Sequence, residues 1–394
     1  MEYTFWIIIS LIVYTILGYA LVLWLIASLF YREEKKSKQD PDFLPQVTLL
    51  IPAYNEDKVI SDKILNSLAL DYPKKKLRII IASDGSTDKT NTIVSSYQAE
   101  GVLLWSNPQR CGKISVINQA MHQIHDGIVV LSDANVMYDK QAIQTLVQHF
   151  KDPEVGVVSG NVSLIKTNSP VGALDLIYQA YENQIKALES KTGSVTGADG
   201  AMYAIRREDY QTVAKHVILD DLVISMNILK KGKRILFESK AKGKENSVSG
   251  VKEAFWTRVR VVAGGIQAIK TGLGMPPWKQ GMQLFQFISH KILRWLLPLQ
   301  FLGLFIINGF LLEQTLYMVL FAIQLSVYSM ALLAHFIGNP VSILSAPYYF
   351  GIQNIAAMLG IWRGLSNSQS VKWDKGERYF KNGHGNDISE KHLK

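Results

Sequence analysis

Carboxylates and amides at the ends of apolar runs are the residues of this chain best placed to do chemistry. The run from Gly127 to Ser132 delivers Asp133, followed by Ala134 and Asn135. In an extended chain, residues two apart face the same side, so Asp133 and Asn135 offer two oxygens together. Such a pair can chelate Mg²⁺ or Mn²⁺ where diphosphate oxygens and water complete the shell, and it equally suits an Asx turn. A second run closes on IPAYNE, with Tyr54 available for packing or contact and Glu56 either a ligand group or a partner for a helix dipole. A third closes on Asp84, Gly85, Ser86, Thr87 and Asp88. There Asp84 accepts from hydroxyl or imide donors, Gly85 lets a ligand approach, and Asp88 caps the next helix. Farther on, Asp220 and Asp221 precede the pattern LVISMNILKK, where acids also suit a helix start.

The elements needed to hold these groups are legible between Gln46 and about Gly272. VTLLIPAY, RIIIASD, VLLW and GIVVLSD read as buried parallel strands, being short, β-branched and apolar throughout. DKVISDKILNSLAL, DKTNTIVSSYQAE, GKISVINQAMHQIH and KQAIQTLVQHF read as the helices between them. This alternation predicts an α/β domain, in which ligands bind beyond the carboxyl ends of the strands. The acidic groups stand at those ends.

The domain is flanked by membrane-seeking sequence. Tyr3 to Phe30 carries no charge, and it is longer than a signal-peptide core and lacks a preceding basic segment, so an uncleaved anchor over residues 1–30 is expected. Residues 31–45 form a linker with Arg32, Lys35, Lys36 and Lys38, whereas only Glu2 precedes the anchor. The positive-inside bias then predicts that the α/β domain, residues 46–275, lies in the cytoplasm of a multi-pass cell-membrane protein. Met275-Pro276-Pro277 ends any helix, residues 276–291 are expected to be interfacial, and apolar density returns across 292–365. Three further spans would leave a tail, residues 366–394, outside with Lys372, Lys375, Arg378 and Lys381, in addition to Arg363. The last apolar segment, interrupted by Pro347, Gln353 and Asn354, is therefore expected to lie in the interface or re-enter.

Composition narrows the classes. With 394 residues and 48% hydrophobic content there is room for one domain of about 200 to 250 residues plus membrane segments. One cysteine, Cys111, excludes an internal disulfide framework. The net charge of +9 is concentrated beside membrane segments and in the tail, and no nucleic-acid motif accompanies it, so lipid headgroups are the expected partner. The apolar segments show no convincing intramembrane charges or paired broken helices of a transporter.

IPAYNE, DGSTD, DAN, GADGAMYAIRRE and LDDLVIS occur in an order and spacing similar to those of family 2 glycosyltransferases. The resemblance covers about Val47 to Val262 and is nearest to the membrane-integrated cellulose, hyaluronan and poly-N-acetylglucosamine synthases. It implies a GT-A catalytic domain between α-helical transmembrane segments, usually with a UDP-sugar donor. On this resemblance Tyr54, Glu56 and Asp84 match nucleoside-holding positions, and Lys113 and Asn118 match a segment near the donor diphosphate. Asp133 and Asn135 match the metal motif, with Asn135 departing from Asp and removing one negative charge. Asp221 matches the general base, beside Asp220, which replaces a Glu; an adjacent acid raises such a group's pKa. Gly197 and Asp199 belong to the acceptor-side loop, which a plain turn would also explain. Arg258 and Arg260 fall where processive synthases carry QxxRW, and only Arg260 is retained; both arginines also suit lipid headgroups.

The expected activity is inverting, metal-assisted transfer of a sugar from a nucleotide-sugar to a polysaccharide or lipid-linked glycan. Single transfer onto a polyprenyl or glycerolipid carrier is the enzymatic alternative, and an inactive scaffold of a glycan assembly complex the non-enzymatic one. Few spans and the altered QxxRW leave a place for a second copy or a separate export partner.

Overall fold

The computed structural model describes residues 1–30, 40, 42–165, 170–246, 251–337 and 342–371. Arg32, Lys35, Lys36 and Lys38, on which the expected orientation rests, lie outside the described residues, as do Lys372, Lys375, Arg378 and Lys381.

The uncharged N-terminus forms α1 (Glu2–Val13), a π-helical turn at Tyr14–Gly18 and α2 (Tyr19–Phe30). The chain then alternates β1 (Val47–Ala53), α3 (Ile60–Leu68), β2 (Leu77–Asp84), α4 (Thr90–Ser96), β3 (Val102–Asn107), α5 (Lys113–Gln123) and β4 (Ile128–Ser132). It continues through β5 (Met137–Tyr138), α6 (Ala142–Val147), β6 (Val155–Ile165), α7 (Pro170–Lys191), β7 (Met202–Arg206), α8 (Asp220–Lys230), β8 (Arg234–Asn246) and α9 (Val251–Lys270). The C-terminal part holds α10 (Gly281–Phe287), a second π-helical turn (Ile288–Ile292), α11 (Leu293–Trp295), α12 (Leu297–Gly309), α13 (Thr315–Ile337) and α14 (Ser342–Leu365).

The strands form one sheet in the order β3-β2-β1-β4-β7-β6-β8-β5. The expected parallel block is present, with β1 beside β2 and β4, and β2 beside β3. Beyond it the sheet is mixed, because β7 runs antiparallel between β4 and β6. Successive side chains leave a strand on opposite faces. Leu50, Ile80 and Val129 accordingly pack into one core, and Leu49, Ile51, Ile79, Ile81 and Val130 into the other. Coverage of both faces explains why these strands are apolar throughout.

Among the described residues two helical stretches are long and apolar enough to cross a membrane, Glu2–Leu29 and Thr315–Ile337. A third candidate is the pair Gly281–Trp295 and Leu297–Gly309, bent by 60°. The break falls just before Pro298, whose missing N–H suits the first turn of α12. The last apolar segment is helical throughout, with Pro347 inside it, and is not among these candidates. Its C-terminal half packs on α9 instead. A Cβ on Gly360 would stand 2.9 Å from the Val259 carbonyl oxygen, and one on Gly364 would stand 2.8 Å from that of Ala263.

Candidate active site

The loops that follow β1 and β2 are laced together. Asn55 takes φ of 52°, its amide N–H donates to Ser86 Oγ (3.1 Å), and its Oδ1 accepts from the Thr87 N–H (2.8 Å). Glu56 contributes backbone here: its N–H donates to Thr90 Oγ1 at 2.7 Å, and its carbonyl accepts from Val59 and Ile60. The N-cap position of α3 is Val59, whose apolar side chain offers no cap. Asp88 accepts from the N–H groups of Thr90 (2.9 Å) and Asp57 (3.1 Å), tying the start of α4 to the first loop.

Asp84 holds backbone in place. Its two oxygens accept from the backbone N–H groups of Cys111 (2.7 Å) and Gly112 (2.8 Å), so it clasps the loop that leads into α5. Gly85 also serves that loop. At φ of 69° its missing Cβ leaves room for Arg110 N and the Gln109 carbonyl carbon, each of which would lie 2.6 Å from it. The clasp carries Arg110 over the Tyr54 ring, guanidinium carbon 4.0 Å from the centroid, a cation–π contact. Sequence reasoning missed Arg110, because its partner is 56 residues away in the chain and no local pattern marks it.

At the centre stands Lys113, the first residue of α5, whose Nζ donates to Asp133 Oδ1 at 2.7 Å. Burial alone would depress its pKa, but the carboxylates of Asp133, Asp220 and Asp221 outweigh that and hold the ammonium well above the usual lysine range. The opposite happens at Asp221. Burial, then the charge of Asp220, pushes its carboxyl up to about 6, against the pull of Lys113.

Asp220 and Asp221 open α8, with Leu219 at its N-cap, so both acids occupy the first turn and neither is the cap itself. Asp221 Oδ1 accepts from the Leu222 N–H (2.7 Å) and Oδ2 from the Gly200 N–H (3.1 Å). A Cβ on Gly200 would lie 2.8 Å from Asp221 Oδ2, so this close approach requires glycine. The loop before it is pinned along its length: Ala198 N–H donates to Ser225 Oγ and Asp199 N–H to Ser159 Oγ, both at 2.9 Å. Asp199 Oδ2 accepts from Lys186 at 3.3 Å. Gly197 lies in the same loop, packed near Leu222.

Asn118 and Arg260 both hold neighbouring backbone. Asn118 is buried, with its amide used on Val213 O (2.7 Å), Val213 N (3.1 Å) and Tyr210 Oη (2.6 Å), which makes it a brace for the segment after β7. Arg260 lies on α9 and donates to Ile218 O at 3.0 Å, supporting the approach to Asp220. Arg258 lies on the same helix with its Nε buried and lacking an acceptor among the described residues.

The oxygens fit a divalent ion shared with a diphosphate and do not fit an all-protein cage. Among the described residues no group of three His, Cys, Asp or Glu could hold a metal. Asp133 keeps Oδ2 beyond its contact with Lys113, and Asn135 keeps its amide oxygen while its Nδ2 lies 3.4 Å from Glu245 Oε2. A hard cation held by one or two protein oxygens completes its shell with phosphate and water.

Lys63 also escaped sequence reasoning. Fully buried on α3, it reaches under the strand end to donate to Ser132 Oγ (2.8 Å) and Val136 O (2.5 Å), flanking Asp133 to Asn135 on both sides. Burial depresses its pKa to about 7, opposed by Asp133.

Residues 48–213 match the family described as Glycosyl transferase family 2. The chain is 28% identical over 231 residues to a poly-beta-1,6-N-acetyl-D-glucosamine synthase of Staphylococcus aureus, covering 55% of this chain and 56% of the relative. It is 24% identical over 221 residues to the protein of that name in Staphylococcus epidermidis, covering 52% and 53%. The chain thus matches about half the length of these curated relatives. Its fold is that of a mannosyltransferase from Pyrobaculum calidifontis solved with GDP-Man and Mn²⁺, with a TM-score of 0.70, 21% identity, and coverage of 93% of this chain and 99% of the other.

Proposed function

We propose that this chain, which carries a family 2 glycosyltransferase domain of GT-A fold, is a membrane-bound inverting transferase that moves a sugar from a nucleotide-sugar to a glycan acceptor. The observation that carries this reading is the convergence of Lys113, Asp133, Asp220 and Asp221, from three separate elements, beyond the carboxyl end of β4. Tyr54 and Arg110 flank the adjoining loops as a platform for the nucleoside. Lys113 offsets diphosphate charge as a point cation.

Asp221 is the base in this scheme. Each of its oxygens accepts one backbone N–H and keeps a further acceptor position, so the carboxylate is oriented and still able to take a proton. It removes the proton of an acceptor hydroxyl, and that oxygen attacks the anomeric carbon opposite the departing diphosphate, giving a β-linkage from an α-linked donor. Asp133 and Asn135 would hold Mg²⁺ or Mn²⁺, whose charge stabilises the leaving diphosphate. The remaining contribution of the protein is orientation.

The staphylococcal relatives make UDP-N-acetylglucosamine the first donor to test, and GDP-mannose follows from the solved relative. The experiment is a nucleotide-sugar screen on the full chain in lipid nanodiscs, reading released nucleotide and product mass. A ladder of products would support polymer elongation, one added sugar would support single transfer to a carrier, and no turnover of any donor would support an inactive scaffold.

A further inference from the structure

The acceptor-side loop is tied to the membrane anchor through one buried carboxylate. Glu189, near the C-terminus of α7, is fully buried. Its Oε2 accepts from the Thr196 N–H at 3.1 Å and lies 3.3 Å from Thr196 Oγ1, just before Gly197 to Gly200. Its Oε1 accepts from Tyr19 Oη at 2.6 Å and stands 2.7 Å from His290 Nδ1. Tyr19 is the first residue of α2 and His290 belongs to the second π-helical turn, so three elements meet on one side chain. His290 Nε2 continues to Glu182 at 3.0 Å, and Glu182 pairs with Arg294.

Ser225, Ser159, Asp221 and Lys186, which also hold this loop, come from within the catalytic domain, while His290 Nδ1 lies 3.3 Å from Thr196 Oγ1 beside the carboxylate. Glu189 differs because its second oxygen is held by the apolar anchor. The π-helical turn at Tyr14–Gly18 docks at the same place, where Tyr181 on α7 donates to the Ile16 carbonyl and Tyr14 Oη lies 2.7 Å from Ser289 Oγ. A polar seam within such apolar helices is expensive unless it has a task.

We infer that Glu189 is a positioning residue that sets the acceptor-side loop, and through Gly200 the base Asp221, according to the seating of the membrane anchor. This rests on the proposed function for the acceptor assignment. The mechanical part of the inference stands apart from it.

The test uses the full chain in nanodiscs with Tyr19→Phe, which keeps the ring against Phe285 and His290 and removes one hydrogen bond, and Glu189→Gln. Tyr14→Phe is the control, since its partner is Ser289. Hydrogen–deuterium exchange over Thr196 to Gly200 should rise about tenfold in Tyr19→Phe, the scale of losing one hydrogen bond to a buried charge, and stay unchanged in Tyr14→Phe. With UDP-N-acetylglucosamine as donor and a short N-acetylglucosamine oligosaccharide as acceptor, the acceptor KM should rise by a similar factor while hydrolysis of donor alone is unchanged. Unaltered exchange in Tyr19→Phe, or equal loosening in Tyr14→Phe, overturns the inference even where Glu189→Gln fails to fold. If wild-type chain turns over neither probe, the functional reading fails for this donor, and the exchange measurement still decides the role of Glu189.

Discussion

At the scale of single residues, two roles compete for Asp221. It lies in the first turn of a helix, where an acid is favourable for dipole reasons alone, and it accepts from the Gly200 N–H with a raised pKa. Asp221→Asn preserves size and separates them. A positioned base contributes about 10² to 10⁴ in rate, whereas the dipole contribution is about 0.3 to 1 kcal/mol. The expected variant is folded, binds donor nucleotide and has lost at least about a hundredfold in transfer. Normal turnover by Asp221→Asn with a dead Asp220→Asn would move the base to its neighbour.

The pKa gives a second prediction. A base acts as its carboxylate, and the pKa of Asp221 is raised to about 6, so on the proposed role kcat/KM should climb with pH through about 6 and fall off below it. Asp221→Asn should abolish that limb of the profile. At Asp133 the prediction concerns metal: excess chelator should stop turnover, added Mg²⁺ or Mn²⁺ should restore it, and Asp133→Ala should weaken metal-dependent nucleotide binding measured by titration. Turnover unaffected by chelator would mean that Lys113 neutralises the diphosphate unaided.

At the scale of elements, what was legible follows physical locality. The four parallel strands and their helices are local patterns, apolar runs followed by amphipathic ones, and they appear where expected. The strands β5 to β8 carry no such local signal, since the pairing of β5 with β8 and the antiparallel insertion of β7 between β4 and β6 join distant segments. The same limit separates the site residues. Asp133 and Asp221 stand at element ends, where sequence shows them. Lys63, Arg110 and Glu189 act across 50 residues or more of chain in at least one contact each, and nothing around them announces it. Asp84 and Asn118 show the converse: a polar residue in the right motif whose hydrogen bonds hold backbone in place.

The meeting of the 193–200 loop with the start of α8 gives a prediction of its own. Gly200→Ala would place a methyl 2.8 Å from Asp221 Oδ2, and that carboxylate is held on its other side by the Leu222 N–H. The carboxylate must move while the core stays intact. Misplacement on the scale of 1 Å can cost about a hundredfold in rate, so activity should fall at least about tenfold while the thermal midpoint stays nearly unchanged. A matching collapse of stability would show that the glycine serves packing alone.

At the scale of the whole molecule, the donor scheme depends on which side of the membrane the catalytic domain occupies. The N-terminal stretch is apolar enough to cross, and the residues after it include Arg32, Lys35, Lys36 and Lys38, against Glu2 before it. Basic residues flanking a span favour the cytoplasmic side. Counting the bent pair as one span gives three crossings, which returns the chain to that side ahead of its basic tail. α14 is not among the candidate spans, and its close packing on α9 accords with a count that leaves it out. Lys89 is exposed at the start of α4, far from any candidate span in sequence, and so reports on the domain. A cysteine introduced at Lys89, in a background where Cys111 is replaced by serine, should resist a membrane-impermeant maleimide in intact cells and react after permeabilisation. Labelling before permeabilisation would place the domain outside and remove the cytoplasmic nucleotide-sugar pool from the mechanism, whatever Asp221 does.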